Sequence, residues 1–88
     1  MRRRTLQLTT VERSALTRTR NRDARAYLRE RCAVLLAIAD GLSVRQAARR
    51  GGLRPRHPET VSDWLNRYLA SGLAGLVQYP RRHAGGPP

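Results

Sequence analysis

The chain has no lysine and no phenylalanine, one cysteine, one tryptophan and six acidic residues among 88 positions. Each scarcity excludes something. With a single thiol, Cys32, no internal disulfide can form, and its place in an apolar stretch marks it as a buried core residue. Few aromatics and no β-branched runs leave nothing to build a sheet. The longest apolar run, Ala33 to Ala39, is far short of the roughly 20 residues that cross a bilayer, so no membrane helix is expected. The basic start, Met1 to Arg4, is followed by polar residues rather than an apolar secretory core, which gives a cytoplasmic, nucleoid-associated location as the expectation. Six scattered acids in so short a chain supply neither a metal-binding carboxylate set nor a nucleophile–base pair, so no enzyme activity is expected. His57 and His83 lack Cys or acidic neighbours at ligand spacing, so neither metal nor cofactor is expected.

What is present is arginine. Its 18 copies give a formal charge of +12, and such a field attracts polyanions by releasing their condensed counterions. A chain of this size forms one small core, and helical periodicity makes it all-α with about four helices. Residues 1–8 form a basic arm. Thr9 and Glu12 then make a T-x-x-E capping box that starts a helix running to about Arg20, with Val11, Ala15 and Leu16 as its apolar stripe. A second helix opens near Asp23, whose charge suits a helix N-terminus, and runs to Asp40 ahead of Gly41. Its residues Leu28, Cys32, Leu35, Leu36 and Ala39, widened by Tyr27, Val34 and Ile38, mark it as the core helix.

Ser43 with Gln46 forms another capping box for a third helix, which Gly51 and Gly52 end. Two prolines stiffen the loop that follows, and Pro58 is placed as the first residue of a fourth helix. That helix spans Pro58 to Ser71, puts Val61, Trp64, Leu65, Tyr68 and Leu69 on one face, and stops at Gly72. The domain is accordingly expected over 9–72, with 73–88 as an extended, disordered tail or linker stub ending in Arg81, Arg82 and a Gly/Pro run.

The third and fourth helices have the parts of a helix-turn-helix. Ala48 is the small contact where the helices cross, Gly52 turns the chain, Leu53 plugs the turn, and Val61 and Trp64 anchor the second helix with its polar face outward. About three extra residues between Leu53 and Val61 lengthen the usual tight turn.

Three segments then carry a resemblance: Leu8 to Arg13, Arg31 to Ser43, and Thr60 to Tyr68 continuing through Gly72 to Leu76. Together they resemble the N-terminal, homeodomain-like helix-turn-helix region of mariner-like bacterial insertion-sequence transposases and related stand-alone proteins. The resemblance implies a helix near Thr60 that enters the major groove of double-stranded DNA, in a transcription regulator or in the recognition part of a transposase whose catalytic domain lies elsewhere. For base contacts the candidates are Thr60, Ser62, Asp63, Asn66 and Arg67, whose hydroxyl, carboxylate, amide and guanidinium groups match base edges. Asp63 and Arg67 are also spaced to pair with each other on the helix surface. For the DNA backbone the candidates are Arg45, Arg49, Arg50, Arg54 and Arg56, and for a minor-groove arm Arg2, Arg3 and Arg4.

Two other readings compete. One is a protein-interaction or antitoxin-like subunit, favoured by an exposed apolar patch at Leu73, Leu76, Val77 and Tyr79; the other is a non-specific RNA or polyanion binder. A lone module reads few base pairs, so specificity would draw on a homodimer or a second domain.

Overall fold

A computed structural model of the protein describes residues 5–52 and 54–77. The expected arm at Arg2–Arg4, the Leu53 plug, Tyr79 and the tail with Arg81, Arg82 and His83 lie outside the described residues. Within them the chain is all-helical: α1 (Thr10–Arg22), α2 (Ala26–Ala39), α3 (Val44–Arg50), α4 (Pro58–Ser71) and a closing 3₁₀ segment, Gly72–Leu76.

The caps form as their residue types dictate. Thr9 Oγ1 accepts from the Glu12 amide at 3.1 Å while Glu12 Oε1 accepts from the Thr9 amide at 2.8 Å. Ser43 and Gln46 make the same reciprocal pair at 3.1 and 2.9 Å, which satisfies two of the four open amides at the start of the short α3. Pro58 opens α4, preceded by His57, whose Nδ1 accepts from the Glu59 amide at 3.1 Å. Gly72 ends α4 with φ of 69°, a left-handed backbone that a side chain would strain.

The start of α2 departs from the expectation. Asp23 closes α1 instead of opening α2: its amide donates to the Thr19 carbonyl at 3.0 Å, and its carboxylate accepts from the Arg25 amide at 2.8 Å and Nε at 3.0 Å. A short acidic side chain satisfies a turn as readily as a helix dipole, and here the local turn wins. The Arg25 guanidinium holds the Asp23 carboxyl at about 2.

α2 is the shared partner of the other helices, with α1 packed on it and the α3–α4 pair packed on it as well. Leu28, Cys32, Val34, Leu35, Leu36 and Ile38 are all buried, as are Ala47 and Ala48 of α3 and Val61, Trp64, Leu65 and Tyr68 of α4. Cys32 is fully covered, and burial pushes its thiol up to about 11.

Two expected core residues are on the surface. Leu69 is 59% exposed and Val11 is 78% exposed. At about 100° per residue, Leu69 has drifted roughly 80° from Val61, to the margin of the α4 stripe, and Val11 sits roughly 140° from Leu16. The core reaches further along the chain than 9–72. Leu6 is buried ahead of α1, and Leu76 is fully buried beyond α4, with Leu73 and Val77 packed against the core. The apolar residues after Gly72 that could have formed a docking patch are therefore, where described, part of the fold.

Candidate nucleic-acid interface

The α3–α4 corner is held on α2 by a charged contact that the sequence reading missed. Glu30 is 3% exposed, and its carboxylate accepts from Arg56 Nε at 2.9 Å and Nη2 at 2.5 Å. Arg56 lies in the loop between α3 and α4, where its amide also donates to the Ala48 carbonyl at 2.7 Å. The loop is thus fastened to α3 through backbone and to α2 through the guanidinium. Gly52 makes room for this, because a Cβ there would lie 2.7 Å from Glu30 Oε2 and 2.8 Å from its Cγ. The hydrogen bond to Glu30 raises the Arg56 pKa, keeping the guanidinium charged.

A second arginine completes the seat. Arg31 stacks over Tyr27 at 4.9 Å and over Trp64 at 5.2 Å, and its Nη1 donates to the Leu76 carbonyl at 2.8 Å. Burial lowers its pKa, and the two ring faces supply compensating negative potential. Trp64, read from spacing as core, is buried and serves as the platform on which Arg31 and, at 5.8 Å, Arg56 rest.

With its apolar face seated, α4 turns the opposite face outward. Asp63, Asn66 and Arg67 are exposed, with Thr60 and Ser62 half-buried at the flanks. Arg67 Nε meets Asp63 Oδ2 at 3.1 Å, the i,i+4 pair that their spacing allows, and both side chains remain more than half exposed. In bulk solvent such a pair contributes about 0–1 kcal/mol, so bases can compete for either partner.

Arg45, Arg49 and Arg50 are exposed on α3, where with Gln46 they line a shallow groove of about 230 Å³. Arg54 is exposed in the loop. Arg56 stands apart from this group, half-buried and turned toward Glu30. Lone acids inside an apolar helix are the one signal that could have revealed Glu30, but its partner is 26 residues away, beyond any local pattern. Among the described residues no group of three or more His, Cys, Asp or Glu side chains is placed to hold a metal ion. No described helix is long and apolar enough to cross a membrane.

Residues 31–88 match the winged helix-turn-helix family, a span that begins inside α2 and takes in α3 and α4 but not α1. No curated protein and no solved structure matches the chain.

Proposed function

Because the chain belongs to the winged helix-turn-helix family, we propose that it binds duplex DNA with the outer face of α4 in the major groove. The observation that carries this reading is the division of α4. Val61, Trp64, Leu65 and Tyr68 are buried while Asp63, Asn66 and Arg67 stand in solvent, and Arg45, Arg49, Arg50 and Arg54 are exposed on the preceding helix and loop. A rigid helix presenting donors and acceptors, together with exposed cations in the same motif, is what a groove lined by base edges and edged by phosphates requires. Asn66 suits adenine, Arg67 guanine and Asp63 the cytosine amino group, while Thr60 and Ser62 add hydroxyl contacts at the flanks. The arginines of α3 and the loop set position and contribute most of the salt dependence.

Arg56 has a different role in this scheme. Its guanidinium is engaged by Glu30, so it positions the α3–α4 corner, leaving phosphate contact to its four neighbours and to the basic segment Arg2–Arg4. The chain then acts without catalysis of its own, as a transcription regulator or as the DNA-recognition part of a transposase. Glu12, Asp23, Glu30, Asp40 and Asp63 are each engaged in a cap or an ion pair, which favours a binding role over a carboxylate active site. The test is selection of bound duplexes from a random library at about 0.15 M salt, where long-range attraction is screened. An enriched motif that loses one position in Asn66→Ala and another in Arg67→Ala supports the reading; recovery of unselected sequence overturns it.

A further inference from the structure

We propose that the outer face of α1 is a second surface for the phosphate backbone of duplex DNA, separate from the α3–α4 corner. An open groove of about 610 Å³ runs along this helix between Leu8 and Arg22. Two rows of side chains at i,i+4 spacing form it: Arg13, Thr17 and Asn21 in one, Ser14, Arg18 and Arg22 in the other. Every one of these six is a hydrogen-bond donor, and no acidic residue lines the groove. Guanidinium, hydroxyl and amide donors along one line are the set that meets phosphate oxygens without reading bases.

Several arginines of the fold lie against acids, as in Arg25–Asp23, Arg56–Glu30 and Arg67–Asp63, whereas α1, like α3 with Arg45, Arg49 and Arg50, presents exposed arginines along its surface. Arg18 and Arg22 stand one turn apart as like charges, an arrangement that disfavours a helix unless an anion relieves it, and among the described acids neither has an ion pair. Arg13 meets Asp40 at 3.0 Å, but both are exposed and the contact is open to exchange. Glu12, the acid of α1, is turned back into the Thr9 cap. α1 also precedes the family match at 31–88, so the match itself assigns this surface no role. It stands beside the proposed role of α4 and does not depend on it.

The experiment is fluorescence anisotropy of the full chain with a labelled random-sequence duplex across a salt series. Arg18→Gln with Arg22→Gln should lower the slope of log affinity against log salt by about two units, one per lost phosphate contact. Arg18→Lys with Arg22→Lys should restore it. Arg25→Gln, a charge removed outside the groove, should leave the slope within about half a unit. A double Gln variant with the parental slope, or a slope that falls as much for Arg25→Gln, overturns the proposal; circular dichroism confirms that α1 stays helical. The two proposals fail separately. Loss of slope in the α1 variant together with an unchanged motif in Asn66→Ala removes the reading role of α4 and leaves the α1 surface standing.

Discussion

The Glu30–Arg56 pair should be energetically lopsided. Its two partners differ in exposure: the Glu30 side chain is 2% exposed and that of Arg56 is 27% exposed. Arg56→Met takes the two-pronged guanidinium contact from a carboxylate buried beside Gly52, and breaking a buried pair from that side costs about 3–5 kcal/mol. Glu30→Gln keeps the shape and one acceptor, and the guanidinium left behind has access to water, so the loss is that of a charge-assisted contact, about 1–2 kcal/mol. Urea unfolding read from Trp64, the single tryptophan, measures both, since its ring lies 5.8 Å from the Arg56 guanidinium carbon. A second signature is pH. A buried carboxylate that has lost its guanidinium binds a proton more readily folded than unfolded, so Arg56→Met should regain stability as pH falls from about 7 to about 5. The reasoning is refuted if Glu30→Gln costs as much as Arg56→Met, or if the latter is indifferent to that pH change.

Three further outcomes follow from the packing. Cys32 should resist thiol reagents in the folded protein, and stability should decline by about 2–3 kcal/mol as pH rises from 9 to 11, because the unfolded thiol ionises near the ordinary value while the buried one holds its proton to about 11; Cys32→Ala should flatten that decline in alkaline urea titrations. Gly52→Ala should cost about 1–3 kcal/mol in thermal unfolding, since its Cβ overlaps the Glu30 side chain and moving that side chain disturbs Arg56. Leu69→Gln should change stability by no more than about 0.5 kcal/mol, whereas Leu65→Ala, at a fully buried position one turn earlier, should cost about 2–5 kcal/mol by chemical denaturation.

The features legible in the sequence are those set by near neighbours. Thr9 with Glu12, Ser43 with Gln46, Pro58 and Gly72 punctuate the helices where their chemistry places them, because caps are decided within one turn. The outward face of α4 was legible for the same reason, as the complement of an apolar stripe. Leu69 and Val11 were misplaced because periodicity says which side of a helix faces inward but not how far its partners extend along it. Leu76 read as tail because a 3₁₀ segment has no helical period to detect, and the residues it meets, among them Arg31 of α2 bonding its carbonyl, lie far away in the chain. The Glu30–Arg56 contact was invisible because it joins residues brought together only by the turn at Gly52. Arg56 looks like its neighbours in sequence, and only the fold separates the arginine that builds the corner from those left facing outward.

The placement of the acids has a consequence for how this protein responds to salt. Asp23, Glu30, Asp40 and Asp63 are each matched to an arginine of the same chain, so the remaining arginines, in a chain of formal charge +12, repel one another across a small surface. Adding salt to the free protein relaxes that repulsion and tightens the fold, while adding it to a nucleic-acid complex weakens the complex. A melting temperature measured without a polyanion and one measured with it should therefore move in opposite directions along the same salt series, and the salt at which they meet marks where the protein no longer draws stability from being bound.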